Sequence, residues 1–106
     1  MTLINTIAID PEDLKKLNQL ISKYLTGTAV WAFGSRVKGT SRSDSDLDLV
    51  VFSMPKQQSQ VHQLKEALDE SNLPFRVDML VWDEISKEFR ENIEKQFVVL
   101  QDSESE

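Results

Sequence analysis

A chain of 106 residues that is 40% hydrophobic, with 12 basic and 18 acidic residues, has the composition of one soluble globular domain, not of a disordered or membrane-embedded segment. Its net charge of −6 argues against general nucleic-acid binding, which needs a positive field to displace counterions from phosphates. With no cysteine and a single histidine, His62, thiolate chemistry and multi-histidine zinc sites are excluded, so any metal must be held by oxygen, as magnesium, manganese and calcium are.

No apolar run is long enough to span a membrane, and no basic segment followed by an apolar one marks a signal peptide. The expected location is the cytoplasm. Asp10-Pro11-Glu12-Asp13 is a helix start: Asp10 caps, Pro11 suits the first helical position, and the acids complement the positive end of the dipole. Leu14, Leu17, Ile21, Tyr24 and Leu25 then recur at helical spacing until Thr26-Gly27, where the helix should stop. Residues 28–33 are apolar and partly β-branched or aromatic, a buried strand.

Residues 34–45 form a loop with room for one helical turn. A second strand is expected over 46–52, polar at its start, and Pro55 ends it. A second helix follows over 58–71, a third strand over 76–82, and a last helix from about Asp83 with Ile85, Phe89 and Ile93 on one face. A short closing strand over 97–100 precedes an acidic tail, 101–106, expected to be disordered. Residues 1–100 thus make one α/β domain, a small mixed sheet packed with helices.

Chemistry-bearing residues concentrate between Gly34 and Asp78. Asp46 and Asp48, two apart at a strand entrance, share one face and lie close enough to share a divalent cation. Without a cation or proton between them they repel. Just upstream, Gly34-Ser35 offers backbone N–H groups and a hydroxyl of the kind that hold phosphate oxygens, with Arg36, Lys38 and Arg42 adding positive charge. Taken singly, each feature is as well explained by a glycine turn or by solvated surface residues; together they describe a metal–triphosphate site.

Two other motifs fail on inspection. Gly34 to Gly39 has P-loop glycine spacing, but Thr40 stands where its lysine belongs. Asp44, Asp46 and Asp48 imitate the opening ligands of a calcium loop. Leu49 then replaces the required glycine, and Pro55 the bidentate glutamate.

Gly34-Ser35, ten residues, then Asp46-Leu47-Asp48 resembles the signature of the polymerase β-like nucleotidyltransferase superfamily. The short chain and the run Gly-Ser-Arg…Gly-Thr…Ser-Asp-Leu-Asp-Leu are similar to the minimal nucleotidyltransferases, the MNT proteins. The similarity extends from Trp31-Ala32-Phe33 to Arg76-Val77-Asp78 and covers most of the chain. It implies a palm-like core and a third carboxylate on a later strand, here Asp78, acting as metal ligand or general base. It also implies ATP as donor and two magnesium ions, or manganese, held by Asp46, Asp48 and Asp78. Gly34 and Ser35 would hold the β- and γ-phosphates, assisted by Arg36 or Lys38.

The acceptor is less legible. MNT proteins commonly pair as antitoxins with helical HEPN-domain ribonuclease toxins, so the resemblance implies a hetero-oligomer in which AMP is transferred to a toxin tyrosine. Two other functions fit the same residues: a binding module that neutralises its partner by contact, and a small-molecule adenylyltransferase. The second lacks the extra domain that would hold its acceptor. His62, Trp31, Trp82 and Tyr24 carry no expected catalytic role.

Overall fold

In a computed structural model, residues 7–40, 42 and 45–103 are described. Helix α1 spans Pro11–Tyr24, and the Asp10 side chain accepts the Glu12 N–H at 3.0 Å, the cap expected from the sequence. Strand β1 (Val30–Phe33) leads into a one-turn helix α2 (Ser35–Lys38), followed by β2 (Leu47–Val51). Helix α3 (Gln58–Asp69), β3 (Val77–Val81), α4 (Lys87–Glu94) and β4 (Val98–Gln101) complete the chain, with short 3-10 turns at Pro55–Gln57 and Trp82–Glu84.

The four strands form one mixed sheet in the order β3-β2-β1-β4. β1 runs antiparallel to both β2 and β4, whereas β2 and β3 are parallel, a pairing that requires the long crossover supplied by α3. Alternation along the strands then sorts the side chains by face. Val30, Ala32, Leu47, Leu49, Val51 and Met79 join Leu17, Ile21 and Leu25 of the α1 segment and Leu64 and Leu68 of α3 in the main core.

The other face carries Trp31, Phe33, Asp48, Val50, Asp78 and Leu80. Trp31 stacks on Phe97 at 3.9 Å and meets Phe52 edge-on at 4.6 Å, and Phe52 stacks on Trp82 at 4.7 Å. Both tryptophans are thus packing residues. α4 lies against this face, with Ile93 buried, Phe89 edge-on to Phe33, and Arg90 Nε donating to the Trp82 carbonyl at 2.9 Å.

Two expectations are corrected. The last helix starts at Lys87, not near Asp83, because the Ser86 hydroxyl caps it by accepting the Phe89 N–H at 3.1 Å. Ile85 is therefore extended, at φ −105° and ψ 159°. The closing strand reaches Gln101, whose side chain donates to the carbonyls of Leu25 and Thr28 at 2.6 and 2.8 Å. Of the expected disordered tail, residues 104–106 lie outside the described residues. Among the described residues no helix is long and apolar enough to cross a membrane.

Candidate active site

The site is built where β1 ends and β2 begins. Gly34 leaves β1 at φ 87° and ψ −158°, a region essentially restricted to glycine. It also lies directly against Asp48, because a Cβ placed on Gly34 would overlap the Asp48 carboxylate oxygen Oδ2. The turn that opens α2 and the second carboxylate of the Asp-x-Asp pair are thus packed backbone to side chain.

Ser35 is the first residue of α2, so its amide belongs to the first turn, where no earlier intrahelical carbonyl can accept it. Gly39 closes the same turn in the left-handed conformation, at φ 82°, and its N–H donates to the Ser35 carbonyl at 3.1 Å. Lys38 is exposed beside it.

Strand register places the third carboxylate. Asp48 of β2 pairs with Asp78 of β3 and, on its other side, with Phe33 of β1. Neighbouring strands are about 4.8 Å apart, so Asp48 and Asp78 are lateral neighbours on one face. Asp46 is exposed just before β2. Burial, then the Asp78 charge and then the Asp46 charge raise Asp48 above the usual carboxylate range. A half-buried carboxylate facing two others is relieved by a cation.

The donor set is all oxygen and all carboxylate, which fits a hard divalent ion. Among the described residues no three acidic or histidine side chains converge closely enough to hold one in their present rotamers. Asp78 instead leans towards Arg76, Oδ1 to Nε 3.7 Å.

Arg36 departs from the expected role. It is 7% exposed, with Nε donating to the Ser45 carbonyl at 2.9 Å, Nη1 to the Ala8 carbonyl at 2.6 Å, and the guanidinium 4.5 Å from the Phe75 ring centroid. The planar fork that would suit a phosphate is spent inside the fold, tying the N-terminal segment and the entry to β2 onto α2. Arg36→Ala should therefore destabilise the protein by roughly 2–4 kcal/mol, since it removes a buried side chain together with its charge-assisted hydrogen bonds to two separate segments. Urea unfolding measures this. A loss under about 0.5 kcal/mol, the range of an ordinary surface change, would return Arg36 to the solvent side.

Sequence reasoning missed Phe33 and Phe89 as neighbours of the carboxylates. Phe33 adjoins Asp48 only through strand pairing, and Phe89 arrives from α4. The four-residue spacing of Phe89 with Ile93 signals an inward face, yet Phe89 remains 39% exposed.

A glycine turn seated against one of two carboxylates on adjacent strands, with a third just before them in the chain, is suited to binding a nucleotide's phosphates beside a cation, which is what nucleotidyl transfer requires. The family described as "Polymerase beta, Nucleotidyltransferase" matches residues 15–106, and the chain belongs to that family of nucleotidyltransferases. It is 43% identical over 105 residues to a Haemophilus influenzae protein named "Probable protein adenylyltransferase MntA", with 98% of this chain and 92% of that one covered.

Among solved structures, a minimal nucleotidyltransferase so described superimposes with a TM-score of 0.64 at 29% identity, over 82% of this chain and 88% of the other. A toxin–antitoxin crystal structure with AMP-PNP gives 0.61 at 21% identity, covering 86% and 74%. The complex of a tri-AMPylated Shewanella oneidensis HEPN toxin with its MNT antitoxin gives 0.52 at 18%, covering 87% and 71%. The last two comparisons support the shared fold.

Proposed function

We propose that this chain transfers AMP from ATP to a tyrosine hydroxyl of a HEPN-domain RNase toxin and so acts as that toxin's antitoxin, in a cytoplasmic hetero-oligomer. The observation that carries this reading is the lateral pairing of Asp48 with Asp78 directly above the Gly34 turn. It agrees with the name of the Haemophilus relative and with the AMPylated toxin seen in the Shewanella complex.

Magnesium or manganese ions, when held by Asp46, Asp48 and Asp78, supply charge neutralisation at the α-phosphate and at the departing pyrophosphate. The Ser35 hydroxyl and amide bind the β- and γ-phosphate oxygens. Lys38 lies one helical turn away as a further cation for the phosphates. Asp78 accepts the proton of the attacking hydroxyl, a phenol whose ordinary pKa of about 10 leaves it un-ionised at neutral pH. The phenol oxygen bonds to the α-phosphorus, the bond from the α-phosphorus to the β-bridging oxygen breaks, and pyrophosphate leaves with the electron pair.

Label distinguishes this from phosphoryl transfer. With ATP labelled at the α-phosphate, the partner should become labelled; with ATP labelled at the γ-phosphate, it should not. Incorporation from the γ-position alone would contradict the proposal.

A further inference from the structure

The structure assigns an acceptor subsite that selects an aryl hydroxyl, with Phe89 as its specificity-determining residue. This rests on the transfer reading above and names how the acceptor is recognised. A cavity of about 420 Å³ opens beside the carboxylates, and Asp48, Asp78, Phe33, Leu80, Phe89 and Arg76 are among its lining residues. Gly34 and Ser35 are not. In an in-line displacement the attacking oxygen enters opposite the leaving pyrophosphate. If pyrophosphate departs on the Gly34–Ser35 side, the acceptor enters from the side of Asp78, where this cavity lies.

The chemistry of the cavity is mixed. Charged side chains, Lys65 and Asp69 as well as the two carboxylates of the site, share its lining with aromatic and aliphatic ones. Phe33 and Phe89 meet edge-on, with centroids 5.9 Å apart and planes at 89°, a geometry that leaves ring surface available to a third aromatic group. Phe89 is one of three large apolar side chains exposed among the described residues.

Its backbone is nonetheless pinned. The Ser86 hydroxyl accepts the Phe89 N–H, and the next residue, Arg90, donates to the Trp82 carbonyl while its guanidinium lies 5.2 Å from the Trp82 ring centroid. A fixed, half-exposed ring beside a candidate general base is suited to hold a phenol with its oxygen at Asp78. A serine or threonine side chain would leave the ring uncovered. The adenine of ATP is the competing aromatic occupant, and the experiment separates the two.

AMP transfer is measured for wild type, Phe89→Ala and Phe89→Trp onto a HEPN-domain partner and onto the same partner with its acceptor tyrosine replaced by serine. AMP-PNP affinity is measured by calorimetry for the same three proteins. Phe89→Ala should lower kcat/KM for the tyrosine acceptor by roughly 10- to 100-fold, mainly through KM, with AMP-PNP affinity unchanged. Phe89→Trp should restore most of it, and wild-type preference for tyrosine over serine should collapse in Phe89→Ala. An unchanged kcat/KM in Phe89→Ala would overturn the subsite while leaving the transfer reading intact. A loss of AMP-PNP affinity with acceptor KM unchanged would assign the ring to the nucleotide and overturn it equally. No transfer by wild type onto any acceptor would overturn the transfer reading, and the subsite with it.

Discussion

Gly34→Ala is expected to lower stability by about 2–4 kcal/mol and transfer rate by at least ~100-fold. Two independent effects act at this position. The backbone sits at φ 87° and ψ −158°, where a β-carbon is strained whatever the surroundings. That β-carbon would also occupy the space of the Asp48 carboxylate oxygen, so either the turn or the aspartate must move. Displacing the turn shifts Ser35 and the first turn of α2, and displacing the carboxylate breaks its alignment with Asp78. A misplacement of about 1 Å in a reacting geometry is enough for the expected loss. Urea unfolding and steady-state transfer measure the two effects, and a variant retaining both wild-type stability and wild-type rate would show that the turn is not seated against Asp48.

The second large effect is a trade between stability and activity at Asp48. Asp46→Asn with Asp48→Asn should reduce transfer by about 10³-fold or more, because the site then lacks the negative oxygens that hold a divalent cation. Asp48→Asn alone should make the protein slightly more stable at neutral pH. Burial and the charges of Asp78 and Asp46 raise the Asp48 pKa in the folded state, so the folded protein binds a proton there more readily than the unfolded chain does. The ionised side chain therefore costs stability at neutral pH. That cost fades as pH falls through the raised value towards the ordinary carboxylate value of about 3.9.

Because Asp48 is only half-buried, solvent screening keeps the gain under about 1 kcal/mol, which is a shift of a few degrees in Tm for a domain of this size. Thermal melts at neutral and acid pH should show the gap between the two proteins closing on acidification. A gap that widens on acidification would reverse the assignment of Asp48 as a strained carboxylate.

Much of this arrangement is legible in the sequence because its determinants are local. Asp10-Pro11 marks the start of α1, and the β-branched and aromatic runs mark β1, β2 and β3, but β2 begins at Leu47, so Asp46 lies just before the strand and the strand alternation expected to align it with Asp48 does not reach it. Asp78 is recognisable as an acid in an apolar strand, although its pairing with Asp48 depends on a parallel register that no local pattern encodes. The start of α4 was obscured because Ile85 continues the four-residue spacing of Phe89 and Ile93, while the Ser86 cap fixes the boundary after it.

Arg36 shows a different limit. In a four-residue helix there is no periodicity from which to tell the buried side from the solvent side. Its partners, Ala8, Ser45 and Phe75, lie in three separate parts of the chain. Phe89 is the converse case, an apolar residue at inward spacing that the packing leaves at the mouth of a cavity. Both are decided by tertiary neighbours, which spacing alone does not reveal.

The central claim is protein adenylylation at these carboxylates, and intact-mass spectrometry of a coexpressed HEPN-domain partner, incubated with this protein, ATP and magnesium, tests it most directly. A gain of AMP-sized mass on the partner is predicted, abolished when Asp46 and Asp48 are both changed to asparagine. A tight complex that forms with no gain of mass would contradict the claim and make inhibition a matter of contact.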